Sequence, residues 1–379
     1  MHYRLPTIAL AASTALLLTG CATDSEATSD TSAMASEAPA TTSSAAPETE
    51  AAEFSQERCD LNTEAGEITF ATGYYYQASV GILNVVAAKE LGYFEDLCLD
   101  VTVQPGTGDT AQNTQLLAAN TIQFTGLDAQ NIILAADNNI NILGVSVFSD
   151  VGLDILMTPT DVTDLTELEG TTLGQKGSLP TTVAAMLSNA GVDIDAIDQV
   201  TVGYDPSILP RGQVDSLTGY ISNEPNLLAA MGEDVTVWRP YDYDVPSSMG
   251  VTAVNPDFAA ENPTAVEDFL RAITHAYDYC ASNAEECVGY ASEESGPGYD
   301  VDHNIAVWET EVGVVTESAD PEAALGTVDS DLVATIYDFL TEYELVTSGL
   351  TADEALDLFD GSFNDAIYDG TALVWPATS

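Results

Sequence analysis

The stretch that decides the fold opens at Glu67-Ile68-Thr69-Phe70-Ala71-Thr72-Gly73. A short apolar run that ends on glycine reads as a buried strand. Residues 80–91 follow with apolar positions at helical spacing, and Gly92 supplies the stop. Leu99-Asp100-Val101-Thr102-Val103-Gln104 alternates as a second strand. Gly106-Thr107-Gly108-Asp109 is a turn, and residues 110–119 form the next helix. Ile122-Gln123-Phe124-Thr125-Gly126 reads as a third strand, residues 129–137 as a helix and residues 142–148 as a fourth strand. Strands that alternate with helices of this length predict a parallel sheet with helices on both faces.

Further along the chain the pattern repeats. Strands are expected at 172–174, 199–204, 217–220 and 235–238, with a helix at 181–190. From Asn262 onward the chain reads as mostly helical. Pro263 sits near the first turn of a helix over 264–281, where Val266, Phe269, Leu270, Ile273 and Tyr277 share one apolar face. Later helices are expected at 302–315, 330–345 and 351–368. The reading is two α/β lobes, residues 58–155 with 249–379 and residues 156–248, with a crossover near 150–160 and a return near 245–250.

The chain has 379 residues, 61 Asp and Glu against 7 Lys and Arg, and a formal net charge of −54. Nucleic-acid binding needs clustered Lys and Arg, and so does a basic patch on anionic lipid, so both are excluded. With 45% hydrophobic residues the chain is not a disordered acidic tail. Self-repulsion at this charge density opposes a compact state unless salt screens it, so the composition reads either as adaptation to work outside the cytoplasm in a salty or alkaline medium or as acidic drift of a whole lineage.

The N-terminus is an address. Arg4 precedes an apolar run over residues 8–18, too short to span a bilayer and suited to a secretory leader over residues 1–20. The run ends in Leu18-Thr19-Gly20-Cys21, which resembles the bacterial lipobox. By that resemblance Cys21 is diacylated after cleavage, and two acyl chains give stable anchoring to the membrane. Residues 21–57 read as an acidic Ala/Ser/Thr-rich tether, because residues 22–53 hold no aromatic and no basic side chain. Four cysteines remain, and outside the cytoplasm an even number reads as disulfides. Of the three pairings, Cys59–Cys98 with Cys280–Cys287 is favoured, the second closing a short loop at the end of a helical stretch. No CxxC occurs, and His275 and His303 form no ligand pattern and read as surface or helix-packing residues, so neither a metal nor a cofactor is expected.

Three stretches carry a resemblance to a known family. They are Ala87-Ala88-Lys89-Glu90-Leu91-Gly92-Tyr93-Phe94, Leu116-Leu117-Ala118-Ala119 with Gln123-Phe124-Thr125-Gly126, and Gly219-Tyr220-Ile221-Ser222-Asn223-Glu224-Pro225. Over residues 66–285 the chain resembles the type II periplasmic-binding-protein fold, two α/β lobes joined by a two-strand hinge. Within it the chain is similar to the nitrate/sulfonate/taurine and thiamine-pyrimidine-precursor group of ABC-importer substrate-binding proteins. The resemblance implies a lipid-anchored monomer on the outer face of a bacterial membrane that binds a small heteroaromatic solute and passes it to an ABC permease and its ATPase. Sulfonate, nitrate or a riboflavin-like molecule are the other ligands it implies. Some relatives of the fold are enzymes of pyrimidine synthesis with a cysteine-rich motif, and no such run is present here, so catalysis is not expected. A lipoprotein that binds a protein partner is a further alternative.

Candidate ligand residues follow from the chemistry of a planar, amino-bearing ring. Tyr74, Tyr75, Tyr76 and Gln77 follow the first strand, where open α/β sheets place ligands, and tyrosines there stack or orient a ring; a structural aromatic cluster is the other reading. Glu224 is either a carboxylate accepting paired hydrogen bonds from an aminopyrimidine edge or a helix N-terminal acid before Pro225. Asp128 is a second acceptor, Asn223 an amide contact, and Tyr204, Tyr220 and Tyr243 secondary candidates. Lys176 reaches an anionic or carbonyl group or is a lone surface lysine, and Gly106 and Thr107 are candidate backbone donors at a helix N-terminus.

Overall fold

The computed structural model describes residues 54–376. The expected leader, the Cys21 lipidation site and the tether up to residue 53 lie outside the described residues, and the tether expected to run to residue 57 gives way to a helix at Gln56. The strands of the first half are β1 (Glu67–Ala71), β2 (Asp100–Gln104), β3 (Phe124–Leu127) and β4 (Leu143–Ser149). A second set follows: β5 (Asp154–Thr158), β6 (Thr172–Gln175), β7 (Asp198–Thr201), β8 (Ser216–Tyr220) and β9 (Thr236–Trp238). β10 (Met249–Val254) then returns to the first set. They form two five-stranded sheets, in the orders β2-β1-β3-β10-β4 and β7-β6-β8-β5-β9.

Neither sheet is wholly parallel, which corrects the expectation from the strand–helix alternation. β1 runs parallel to β2 and β3, and β6 to β7 and β8. β10 runs antiparallel between β3 and β4, and β5 antiparallel between β8 and β9. The two antiparallel strands are those that receive the chain as it crosses from one sheet to the other. Each enters its sheet from the side facing the other lobe, and so runs against its neighbours. The crossings are short: residues 150–153 lead from β4 to β5, and residues 239–248 from β9 to β10.

Side-chain periodicity decides what each element buries. In β5, Ile155 and Met157 pack with Leu209, Leu217 and Leu228 on one face, while Leu156 packs on the other with Leu173 and Val183. Helix Pro263–Ser282 buries the apolar face expected of it, Val266, Phe269, Leu270, Ile273 and Tyr277. Its Phe269 ring stacks 4.0 Å from Phe124 and 5.3 Å from Phe94. Full burial of each such side chain stabilises by about 1.5–3 kcal/mol.

The N-terminal helix Gln56–Glu64 is held from outside its own sequence, because it has little apolar surface to bury. Arg58 forks onto Asp268 at 2.7 and 2.9 Å, and Asp268 also takes Arg271 at 3.0 Å. Arg271 in turn donates to the carbonyls of Ile367 and Val374, so one buried carboxylate joins both ends of the described chain to helix Pro263–Ser282. The disulfides are Cys59–Cys98 and Cys280–Cys287, with sequence separations of 39 and 7. The second links the helix Pro263–Ser282 to a further helix, Ala284–Ser295, in place of the short loop expected. Chain entropy makes the longer loop the more stabilising, by about 4 against about 2.5 kcal/mol. Replacing Cys59 and Cys98 by serine is therefore expected to lower the denaturant midpoint more than the same change at Cys280 and Cys287, and equal losses would refute the entropic account.

Candidate functional site

Strand direction brings one set of loops to the space between the lobes. The segments after β1, β3, β6 and β8 all leave the sheets there, and β5 enters there at Asp154. Residues 72–77 after β1 are zippered to the turn after β2. Tyr75 N–H donates to the Gly106 carbonyl at 2.6 Å, Gly106 N–H to Thr72 Oγ1 at 2.9 Å and Gly108 N–H to the Gly73 carbonyl at 3.1 Å. A Cβ on Gly106 would collide with the Thr72 carbonyl, so only glycine lets the two loops approach this closely. The zipper thrusts Tyr74 and Tyr75 outward, each half exposed, with their rings edge to face at 4.9 Å.

Two cavities open along this space. The first, of about 400 Å³, lies by the crossing segments and is lined by Asp128, Asp154, Thr182 and Tyr220 among others. The second, of about 590 Å³, is lined by Tyr74, Tyr75, Tyr76, Gln77, Asn223 and His303 among others. Asp128 stands at the N-terminus of helix Ala129–Asp137 but does not cap it, because Ser248 Oγ takes the Ala129 N–H at 2.8 Å. Its carboxylate thus keeps its acceptor sites for the cavity. Burial, with Asp154 opposite, pushes the Asp128 carboxyl up to about 7. Burial also raises Asp154, against the pull of the Thr182 hydroxyl donating at 2.6 Å. Burial and the two aspartates, with Tyr204 last, push the Tyr220 hydroxyl up to about 12, so it remains a donor at any ordinary pH.

Glu224 lies between the cavities and is fully buried. It opens helix Glu224–Ala230 with Pro225 behind it, as the helix-terminus reading expects. Its Oε2 accepts from the Tyr220 N–H at 2.7 Å, and its Oε1 accepts from Asn223 Nδ2 at 2.9 Å and pairs with Lys176. Three of about four acceptor positions on a carboxylate are therefore filled from within the protein. The close approach needs Gly219, where a Cβ would sit on the Glu224 carboxylate.

The structure thus distributes the residues expected from sequence. Tyr74, Tyr75, Tyr76, Gln77 and Asn223 share one cavity, and Asp128 and Tyr220 share the other. Lys176 is no lone surface lysine, since it holds Glu224 and lies 5.6 Å from the ring of Tyr204, itself almost fully exposed. The Gly106 amide is spent on Thr72, and Thr107 bridges Tyr74, so neither glycine-turn residue lines a cavity. Tyr243 packs against the apolar cluster that holds Leu156, Leu173 and Val183, and lines neither cavity.

Sequence reasoning missed Asp154, Thr182, Asn304 and His303. His303 was expected at the surface or in helix packing; it lines the aromatic cavity, with Nε2 2.9 Å from Asn223 Oδ1. His275 does pack, its ring 4.2 Å from Trp375 and 4.5 Å from Tyr93. Asp154 carries a local signal, an acid at the head of an apolar run, but it is hidden among 61 acids.

The family described as NMT1/THI5 like matches residues 79–287. The formylaminopyrimidine-binding protein of Halalkalibacterium halodurans is 26% identical over 243 residues, 61% of this chain and 72% of that protein. The periplasmic aliphatic sulphonate binding protein SsuA of Escherichia coli superposes with a TM-score of 0.56 at 14% identity, over 74% of this chain and 88% of that one. The desulfurization enzyme DSZB superposes with a TM-score of 0.54 at 12% identity, over 79% of this chain and 98% of that one. At such identities the likeness is one of fold, and that periplasmic-binding-protein fold is shared by a binding protein and an enzyme.

Proposed function

Because this chain belongs to the NMT1/THI5-like family, matched over residues 79–287, we propose that it is the substrate-binding component of an ABC importer. In this reading it works outside the cytoplasm, anchored through Cys21, and hands a small amino-bearing heteroaromatic of the pyrimidine kind to a membrane permease. One observation carries the choice of ligand: the uncapped Asp128 carboxylate faces a cavity that also presents Asp154 and Tyr220. Such a wall accepts hydrogen bonds from ring and exocyclic N–H groups, and the cation that also lines it, Arg239, is already held by Asp242 and Glu317.

The scarcity of cations supports the same choice. Each Lys or Arg among the described residues is already ion-paired: Arg58, Lys89, Lys176, Arg211, Arg239 and Arg271. A sulfonate or nitrate would have to take one of them from its carboxylate. In the other cavity Tyr74, Tyr75 and Tyr76 offer ring faces and hydroxyls and Gln77 and Asn223 amides, while Glu224 fixes Tyr220, Asn223 and Lys176 in place. With three acceptor positions filled, Glu224 has about one left for an amino group of the ligand. The relative named for formylaminopyrimidine supports a ligand of this class.

The test is a thermal-shift screen of the soluble chain against aminopyrimidines, flavins, aliphatic sulfonates and nitrate. A ligand at 100 times its dissociation constant stabilises by about 2.7 kcal/mol. Aminopyrimidines are expected to raise the melting temperature and sulfonates to leave it unchanged. The opposite pattern overturns the ligand assignment while leaving the importer role intact.

A further inference from the structure

We propose that Glu311 is a positioning residue: one buried carboxylate that ties the aromatic loop of one lobe to the turn after β8 in the other, and so sets the width of the cleft. Glu311 lies on helix Val301–Ser318 and is 1% exposed. Its Oε2 accepts from Ser79 Oγ at 2.7 Å and from Val80 N–H at 2.7 Å, just beyond Tyr74 to Gln77. Its Oε1 accepts from Ser222 Oγ at 2.8 Å, two residues before Glu224. Neither of the chain's two crossings is involved, so this is a third, non-covalent link between the lobes.

Neighbouring contacts repeat the link along the same helix. His303 meets Asn223 at 2.9 Å, and Asn226 Nδ2 donates to Thr310 Oγ1 at 3.0 Å and to the Ala306 carbonyl at 3.1 Å. Positions 303, 306 and 310 recur at helical spacing and form one face, turned toward helix Glu224–Ala230. The other side of the helix is fixed: Trp308 and Val315 lie in the core beneath the first sheet. The helix is thus a rigid spine of the first lobe with a polar edge gripping the second.

The chemistry of the link is specific. Val80 N–H only donates, so Oε2 must stay an acceptor. The Ser222 hydroxyl donates or accepts, so the other end tolerates a donor. Burial pushes the Glu311 carboxyl up to about 7 against the pull of its three donors. A glutamine with its oxygen toward Val80 and its amide toward Ser222 keeps both ends; leucine keeps neither, and Ser222→Ala removes only the end in the second lobe.

The proposal uses the ligand site for its effect on affinity, but the width of the cleft is measured without ligand. Small-angle scattering of the ligand-free chain is expected to show a larger radius of gyration for Ser222→Ala and Glu311→Leu, and the native radius for Glu311→Gln. Amide exchange at Val80 is expected to quicken in Glu311→Leu alone. Ser222→Ala leaves the first lobe intact, so it remains informative if Glu311→Leu fails to fold. Native scattering from Ser222→Ala overturns the proposal. If an aminopyrimidine probe binds none of the variants or the parent, the ligand assignment falls while the scattering result still decides the link.

Discussion

Asp128→Asn is expected to weaken binding of an aminopyrimidine about 100-fold, since a hydrogen bond to a charged group contributes about 1.5–3 kcal/mol. The wild-type protein should also lose affinity as pH falls. Its carboxyl sits at about 7 in the free protein, and a ligand that donates to it requires the ionised form. Affinity therefore drops about tenfold per pH unit once the pH is below that value, and is flat above it. In Asp128→Asn this dependence disappears. Stability runs in the opposite sense. Because the folded pKa is raised, the native state holds its proton where the unfolded chain has lost it. The group favours the fold at acid pH and loses that contribution as pH rises through about 7. Asp128→Asn should thus melt higher than wild type in alkaline buffer while binding worse. Calorimetric titration and melting curves from pH 5 to 9 measure both; unchanged affinity in the variant removes Asp128 from the site.

The second large effect is expected at Lys176. Lys176→Met leaves Glu224, fully buried, without its cation. Removing one partner of a buried pair costs about 3–5 kcal/mol. The Tyr220 N–H and Asn223 amide still donate to Glu224, which places the expected loss near the low end, about 3 kcal/mol. The double variant Lys176→Met with Glu224→Gln should recover most of it, because an apolar neighbour beside a neutral amide leaves no buried charge. Denaturant titration of the three variants gives the coupling. Additive losses would mean that the two side chains do not depend on each other in the folded protein.

The fold was legible where periodicity is strong and less so where direction matters. Residues 67–148 announce strands and helices through glycine stops and apolar spacing, and the apolar face of helix Pro263–Ser282 can be counted off from Val266 to Tyr277. Strand direction has no such signature. Met249–Val254 is buried at every position between β3 and β4, and nothing in it says that it runs backwards. The site was half legible. Tyrosines after a first strand and the Asn of an Asn-Glu-Pro element do line one cavity. That Glu224 is spent on Lys176, and that Ser248 frees Asp128 from capping, are facts of tertiary contact between residues 48 and 119 positions apart. His303 and Glu311 lie on a helix whose sequence reads as ordinary packing; Ser79, Val80 and the turn after β8, brought against it, give them partners.

The pairing of every described cation with a carboxylate bears on kinetics as well as on contact. With a net charge of −54 and no free positive side chain among the described residues, the field outside the cleft has one sign. In a dilute medium such a field raises encounter rates for cationic solutes by about 10- to 1000-fold and repels anions before they arrive. In brine the Debye length shrinks to about 3 Å, and the distant charges fall silent. On the proposed reading, discrimination then rests on how long Asp128 and Tyr220 hold what has entered. The same cleft selects by arrival in fresh water and by residence in salt.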